Sequence, residues 1–241
     1  RQMPEEINRV LTDQISDLLF TTEAAAADNL QREGVDAAKV HFVGNVMIDT
    51  LLAHRDRARA TAVHGTLGLD AGGYGLLTLH RPSNVDDPAA FERLMSAIDL
   101  ISREVPIVFP VHPRTRPVVG RSVTAEAMVG SGRLRLIDPL GYLDFIGLME
   151  RARVVLTDSG GVQKEAFFYN VPCVTLRSET EWVELLELGW NRLVPPSAPT
   201  KIAEAILENL DQSGASASPY GTGNAARKII DVITDCPKFR A

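Results

Sequence analysis

Residues 158–165 read Asp-Ser-Gly-Gly-Val-Gln-Lys-Glu and directly follow an apolar strand-like run, Val-Val-Leu, at residues 154–156. Such a run of β-branched and aliphatic residues is typical of a buried parallel strand, and helical spacing begins after the glycines. The stretch therefore predicts a strand-to-helix turn. Ser159, Gly160 and Gly161 lie where the free N–H groups and the dipole of the helix favour a phosphate, and glycine lets a ligand approach the backbone closely.

Glu165 follows Gly161 by four positions, so it lies one turn along the same helix face. An anion would repel a neighbouring carboxylate unless that carboxylate accepts hydrogen bonds from sugar hydroxyls. A phosphate site at the turn, with a carboxylate for hydroxyl groups one helical turn further on, is typical of a site that binds a nucleotide. Taken alone, the segment is equally compatible with an ordinary glycine-rich βα turn that carries a solvated glutamate.

Strands and helices alternate along almost the whole chain, which predicts an α/β fold with a parallel sheet and helices on both faces. Strands are predicted at residues 18–22, 40–44, 75–79, 107–111, 134–137, 154–157, 173–176 and 192–194. Helices are predicted at residues 46–60, 87–104, 142–152, 162–169, 200–210 and 224–233, with a Gly/Ser/Ala loop at 213–218.

Residues 1–60 hold a single strand–helix–strand unit and one further helix. Two parallel strands with hydrophobic faces need neighbours to cover them, so they either join the main sheet or belong to a second domain. We favour the second interpretation. Residues 1–60 are then the last elements of an N-terminal domain, residues 61–218 form the complete C-terminal domain, and residues 219–241 hold a final helix.

Composition narrows the range of functions. The 241 residues are 45% hydrophobic and carry a net charge of −6. Proteins that bind nucleic acid usually carry an excess of basic residues, so no nucleic-acid partner is expected. No apolar run approaches the roughly eighteen residues that span a bilayer, so no membrane partner is expected. Two cysteines cannot form a disulfide framework, which favours the cytoplasm, and no spacing suggests a metal site.

Several basic residues come directly after predicted strands, where open α/β sheets bind their ligands. His80 and Arg81 follow one strand, His112 follows the next, and Arg177 follows a third. Simpler interpretations stay open: His80 as a structural histidine, His112 as part of a solvated loop, and Arg177 as one partner of a surface ion pair. Near the chain start, Glu5 belongs to a pair of acids after a proline, which is also typical of the first turn of a helix.

Six motifs in one order resemble the non-hydrolysing UDP-N-acetylglucosamine 2-epimerase family along nearly the whole chain. They are Pro-Glu-Glu-Ile-Asn-Arg at residues 4–9, Gly-Asn-Val-Met-Ile-Asp at 44–49, Thr-Leu-His-Arg at 78–81, Pro-Val-His-Pro at 110–113, Thr-Asp-Ser-Gly-Gly-Val-Gln-Lys-Glu at 157–165 and Pro-Tyr-Gly-Thr-Gly-Asn-Ala at 219–225.

The resemblance implies two Rossmann-like domains of the GT-B type, of which only the C-terminal one is complete in this chain, with the ligand in the cleft between them. It also implies that the final helix, in residues 219–241, packs back toward the N-terminal domain. It implies a homodimer that needs no cofactor and no metal, with UDP itself as the bound intermediate. Site roles follow residue by residue. Glu5 and His80 are catalytic; Arg81, Ser159, Gly160, Gly161 and Glu165 bind UDP; His112 and Arg177 are ligand or regulatory contacts.

The implied reaction is reversible C2 epimerisation of UDP-N-acetylglucosamine to UDP-N-acetylmannosamine, feeding cell-surface polysaccharide synthesis. The C2 proton is not adjacent to a carbonyl, so similar enzymes eliminate UDP across C1–C2 to give 2-acetamidoglucal and then add UDP back. The developing charge is on the departing diphosphate, where fixed N–H dipoles can contribute roughly 3–4 kcal/mol per donor. Carboxylates such as Glu5 then act as acid or base.

The chain departs from the family pattern in three places. The family's early Gly-Thr-Arg-Pro-Glu, His-Gly-Asp and His-Val-Glu-Ala-Gly motifs are missing, which puts the activity of this chain alone in question. Pro82-Ser83-Asn84 follows His80-Arg81 where many bacterial members have Arg-Glu, which puts a regulatory second sugar-nucleotide site in question. Trp182 stands where the family usually has an arginine.

Three alternatives remain at this point. The first is a GT-B glycosyltransferase that uses the same turn for a UDP-sugar; Thr157 disfavours it, because many retaining members have a second glutamate there. The second is epimerisation of another UDP-2-acetamido sugar, such as a diacetamido uronic acid. The third is a fragment that binds UDP without catalysis.

Overall fold

The computed structural model describes residues 4–196, 199–210 and 213–239. Its helices are α1 Pro4–Ile15, α2 Ala24–Arg32, α3 Val46–Ala60, α4 Val63–Thr66, α5 Pro82–Val85, α6 Pro88–Ser102, α7 Arg116–Val119, α8 Val123–Gly130, α9 Tyr142–Glu150, α10 Gly160–Phe168, α11 Val183–Glu187, α12 Pro199–Asn209 and α13 Ala225–Asp235. Its strands are β1 Leu19–Thr21, β2 Val40–Phe42, β3 Gly75–Thr78, β4 Ile107–Pro110, β5 Leu134–Ile137, β6 Val154–Thr157, β7 Cys173–Thr175 and β8 Asn191–Leu193.

The chain forms two compact units. One comprises the residues up to Ala53 together with those from Ala217 onward, and the other comprises His54–Ser216. The predicted boundaries, after residues 60 and 218, lie close to these divisions. Whether the smaller unit is the end of a larger domain stays a prediction.

The larger unit contains a six-stranded parallel sheet in the order β5-β4-β3-β6-β7-β8. From β3 the chain adds strands outward on one side, then returns to β6 and adds strands on the other. The central pair β3–β6 is therefore the topological switch point, where loops leave adjacent strands in opposite directions and open a crevice.

Hydrophobic clusters cover both faces of this sheet, as its continuous apolar strands require. Leu77, Ile107 and Leu156 belong to one cluster, with side chains of α6, α8 and α12. Their neighbours Leu76 and Val155 face the other cluster, with side chains of α9 and α10. Two-sided burial fixes the strand register and so fixes the residues that emerge at the strand ends.

The smaller unit pairs β1 with β2 in parallel and joins the two ends of the chain. Asp49 on α3 accepts hydrogen bonds from the backbone N–H of Ala225 at 3.1 Å and of Ala226 at 2.7 Å, at the start of α13. The backbone of Asn45 also donates to the carbonyl of Tyr220 at 2.9 Å. At Gly44, with φ of +91°, a Cβ would lie 2.7 Å from that same carbonyl oxygen, so only glycine permits this approach.

All eight predicted strands are confirmed, each within one or two residues of its predicted limits. The helix predicted from residue 162 begins at Gly160 instead, because both glycines already have helical geometry and Ser159 is the N-cap. Helix α8 was not predicted; Ser122 caps it by accepting a hydrogen bond from the Ala125 N–H. Across the described ranges no helix is long and apolar enough to cross a membrane, and no group of three metal-ligating side chains occurs.

Gly147→Ala is expected to destabilise the protein. A Cβ on Gly147 would lie 2.7 Å from the backbone oxygen of Ala58, where α9 packs against the end of α3, and backbone cannot move aside cheaply. Overpacking of this kind costs about 1–3 kcal/mol. Gly130→Ala in α8 is the control: a Cβ there meets nothing within 4 Å, and the change should stabilise the helix by up to about 1 kcal/mol. Denaturant unfolding measures both, and equal midpoints would contradict the expectation.

Candidate functional site

The ends of β3 and β6 place the predicted basic residues beside the predicted phosphate turn. Thr78 and Thr157 are register partners at the carboxyl ends of these strands, and their hydroxyl oxygens lie 2.6 Å apart. His80 and Ser159 therefore leave two adjacent strands at the switch point. The order of the strands thus brings these two segments together within the larger unit.

The phosphate turn has the geometry of a helix N-terminus that is open to an anion. Ser159 has extended backbone angles and makes no side-chain cap hydrogen bond, while its own N–H donates to the Thr157 hydroxyl at 3.0 Å. Gly160 and Gly161 form the first helical turn, whose N–H groups have no partner within the helix. A diphosphate at this position would meet backbone donors and the positive end of the helix dipole.

A polar segment after β7 lies against this turn. An added Cβ at Gly160 would be 3.0 Å from Glu181 Oε1, and Glu181 forms an ion pair with Arg177 at 2.8 Å. The Lys164 ammonium lies 3.5 Å from the centroid of the Trp182 ring, a cation–π contact. Arg177 thus stands beside the phosphate turn, in an intramolecular ion pair rather than in isolation.

Glu165 is buried, being only 6% exposed, so the alternative of a solvated glutamate is wrong. Burial raises the pKa of its carboxyl to about 7, although a hydrogen bond from the Tyr142 hydroxyl and the charge of Lys164 oppose the shift. A buried carboxyl with so few donors is ready to accept hydrogen bonds from ligand hydroxyls.

His80 makes its strongest contact with the buried side chain of Asp158. Its Nδ1 lies 2.9 Å from Asp158 Oδ1, and the backbone N–H of Arg81 donates to Oδ2 at 2.9 Å. Asn84 donates to the same Oδ2 at 3.1 Å and to the carbonyl of Leu176 at 3.0 Å. One carboxylate therefore organises the loop that carries both predicted basic residues.

His112 lies on the other side of His80, with the two ring centroids 6.0 Å apart. Its Nδ1 accepts a hydrogen bond from the Arg114 N–H at 3.1 Å. A cavity of about 190 Å³ is lined by four polar residues, the two histidines, Thr78 and Ser159, and by six apolar ones, Leu79, Pro110, Pro139, Leu140, Phe145 and Val162. Such a cavity suits a flat organic ring next to an anion.

Glu5 belongs to the smaller unit, on the exposed face of α1, whereas all the other predicted site residues belong to the larger unit. Its neighbour on the helix, Arg9, holds an ion-pair cluster with Glu6, Asp13 and Glu33, each at 2.7 Å.

Sequence reasoning overlooked Asp158 and Tyr142 as site residues. Asp158 lies inside the opening motif, but its donors come from residues 74 to 78 positions earlier, and only the sheet order reveals them. Tyr142 is the first residue of the helix predicted at residues 142–152, and helical spacing alone gives its hydroxyl no role. Its position at the first turn of α9, half exposed, is the one signal that its hydroxyl has another role.

A doubly wound parallel sheet with a phosphate turn and a buried carboxylate at its switch point defines a nucleotide-binding α/β protein. The family model described as UDP-N-acetylglucosamine 2-epimerase matches residues 1–234, and the chain belongs to this family. The resemblance drawn from the six motifs is therefore confirmed.

The sequences of curated relatives align with almost the whole chain. A UDP-2,3-diacetamido-2,3-dideoxy-D-glucuronate 2-epimerase of Pseudomonas aeruginosa is 45% identical over 96% of the chain and 64% of its own length. A UDP-N-acetylglucosamine 2-epimerase of Methanococcus maripaludis is 36% identical over 97% of the chain and 65% of its own length. The chain thus spans just under two thirds of these relatives.

The solved structure of the Methanocaldococcus jannaschii UDP-GlcNAc 2-epimerase in complex with UDP-GlcNAc and UDP superimposes with a TM-score of 0.85. It is 37% identical and covers 97% of this chain, which covers 65% of that structure. This likeness confirms the α/β fold of the GT-B type.

Glu165→Gln is expected to stabilise the ligand-free protein at alkaline pH. The raised pKa means that the native state keeps this proton longer than the unfolded chain, whose glutamate ionises near 4.5. The favourable contribution of the neutral carboxyl is therefore complete below 4.5 and is lost as pH rises through about 7. Removing the charge should restore about 1–3 kcal/mol near pH 8 and almost nothing near pH 4.

Thermal unfolding at the two pH values measures this effect. Exposed Glu204 on α12 supplies the control, because Glu204→Gln should change stability little at either pH. A gain from Glu165→Gln that is equal at both pH values would contradict the assignment.

Proposed function

We propose that the protein containing this chain interconverts UDP-N-acetylglucosamine and UDP-N-acetylmannosamine by eliminating UDP and adding it back. The observation that carries the proposal is the open N-terminus of α10 at the switch point, with Glu165 buried one turn below it. Membership of the epimerase family supports the same reaction.

Leaving-group stabilisation is the step for which the larger unit is best suited. When the C1–O bond breaks, its electron pair moves onto the diphosphate, and charge grows there. The N–H groups of the first turn of α10 and the guanidinium of Arg81 are assigned to this charge. Donors that are fixed before the reaction need no reorganisation when the charge develops, which is why they lower the barrier.

Binding of the nucleoside is assigned to Glu165 and the adjacent cavity. The ribose hydroxyls donate to the Glu165 carboxylate, and the apolar residues of the cavity hold the base. His80 contacts the leaving group, and Glu5 acts as an acid or base on the sugar. His112 and Arg177 are assigned to ligand or regulatory contacts. No metal or other cofactor is required, since UDP carries the leaving charge.

A second substrate is supported by one specific observation. The Pseudomonas aeruginosa relative, at 45% identity, is a UDP-2,3-diacetamido-2,3-dideoxy-D-glucuronate 2-epimerase. Both sugars have a 2-acetamido group and a UDP at C1, so the same elimination applies to either. The remainder of the proposal, a cytoplasmic homodimer that serves cell-surface polysaccharide synthesis, rests on the family alone.

Incubation with UDP-N-acetylglucosamine in D₂O tests the reaction by NMR. The expected result is deuterium at C2 together with a manno product, because re-addition takes its proton from solvent. The same assay with the diacetamido uronate nucleotide decides between the two substrates. The experiment compares the 241-residue chain with the longest native polypeptide that contains it.

Glu165→Gln tests the binding assignment in this assay, and Glu204→Gln is its control. The first substitution should weaken UDP binding by roughly tenfold, since a buried carboxylate–hydroxyl hydrogen bond is lost, while Glu204→Gln should leave binding unchanged. Free UDP without an epimer would favour transfer or hydrolysis and contradict the proposal. NMR shifts of the ligand without turnover in the longest polypeptide would show a protein that binds UDP without catalysis, which also contradicts the proposal.

A further inference from the structure

Asp158 is fully buried and directly follows β6. Both of its carboxylate oxygens are directed at the loop after β3. It accepts from the Nδ1 of His80 at 2.9 Å, from the backbone N–H groups of His80 at 3.1 Å and Arg81 at 2.9 Å, and from Asn84 at 3.1 Å. The donors come from backbone, amide and imidazole, so the carboxylate is fully engaged.

The charge state of Asp158 follows from these contacts. Burial by itself would raise the pKa of its carboxyl, but the hydrogen bonds from His80 and Arg81 outweigh burial and hold the pKa below its ordinary value. An ionised carboxylate can only accept hydrogen bonds. The Nδ1 of His80 must therefore carry a proton, and Nε2 is the ring nitrogen that remains for a ligand.

The neighbouring histidine has the opposite arrangement. The Nδ1 of His112 accepts from the Arg114 N–H, so a neutral His112 carries its proton on Nε2. The two rings line the same cavity, with centroids 6.0 Å apart. Of this pair, His80 alone is backed by a buried carboxylate.

Resting on the proposed function, we infer that Asp158 is the positioning residue of the leaving-group site. It fixes the Nδ1–H tautomer and the orientation of His80, so that Nε2 is directed to the diphosphate. When Nε2 is protonated, the Asp158 carboxylate balances the imidazolium charge while His80 donates a hydrogen bond to the departing oxygen. The proton stays on His80, so UDP can add back without a further transfer at that nitrogen.

A purely structural role is the competing explanation, because the same carboxylate also anchors the backbone of residues 80–81. The two explanations differ in one respect. A positioning residue acts through His80, so its effect on catalysis disappears when His80 is absent. A structural anchor affects catalysis whether or not the imidazole is present.

The first test needs no substitution. Nitrogen-15 NMR of histidine-labelled wild-type protein reports which ring nitrogen is protonated. The neutral form of His80 should show a protonated Nδ1 and a bare Nε2, and His112 should show the reverse. A protonated Nε2 on neutral His80 would overturn the inference, and this result does not depend on activity or on any variant folding.

The second test is a double-substitution cycle in the epimerisation assay. Asp158→Asn keeps the shape of the side chain and removes its charge; kcat should fall by roughly a hundredfold or more, while KM changes by less than about threefold. In a His80→Gln background, adding Asp158→Asn should lower kcat by less than about threefold. The same loss in both backgrounds would establish the structural role and overturn the inference.

Thr115→Val is the matched control for loosening of the same loop. Its buried hydroxyl donates to the carbonyl of Leu79 at 2.6 Å, directly before His80, without contacting Asp158. The variant should lower the melting temperature and leave kcat within about threefold of wild type. A Thr115→Val loss in kcat as large as that of Asp158→Asn would also overturn the inference.

Failure of the proposed function is distinguishable from failure of this inference. A wild-type protein that binds UDP but epimerises no UDP-sugar refutes the function, while the tautomer measurement still decides the role of Asp158. Turnover with equal losses in both backgrounds refutes the positioning role and leaves the function intact.

Discussion

The pairing of β3 with β6 is the constraint on which the candidate site depends. These two strands lie side by side in the sheet although 75 residues or more separate them in the chain, and each is followed by a loop that leaves in its own direction. Their register sets His80 beside Asp158 and both beside the phosphate turn. The hydrophobic clusters on the two sheet faces hold that register, so the packing of the core and the geometry of the site have one cause.

Two buried carboxylates of this site have opposite environments. Asp158 receives donors on both oxygens, and its pKa is held below the ordinary value. Glu165 has the Tyr142 hydroxyl and the nearby charge of Lys164, and burial prevails, with a pKa of about 7. Environments that shift the pKa values of two neighbouring acids in opposite directions are common at functional sites. The first carboxylate is satisfied within the protein, and the second gains its remaining donors when a ligand binds.

Local pattern was sufficient for the strands and for the phosphate turn, because both depend on residues that are adjacent in the chain. The run before Asp158 and the two glycines after it predict a strand, a turn and a helix without reference to the remainder of the chain. The burial of Glu165 was not predictable in this way, since it depends on packing between distant segments, and its hydrogen-bond partner Tyr142 comes from another helix. The same holds for the donors to Asp158, which come from a different strand end. Motif resemblance assigned Glu5 a role that neither spacing nor the described geometry of α1 supplies.

The hydrogen bond between Asp49 and the backbone at the start of α13 joins residues 176 positions apart. During synthesis, the six-stranded sheet leaves the ribosome as one continuous segment and can fold as soon as it emerges. The smaller unit cannot close at that stage, because the segment that completes it follows the larger unit in the chain. Domains generally fold as units in the order in which they are made, so β1 and β2 must wait for α13. Release of the nascent chain before α13 is made would therefore leave a folded larger unit and an incomplete smaller one.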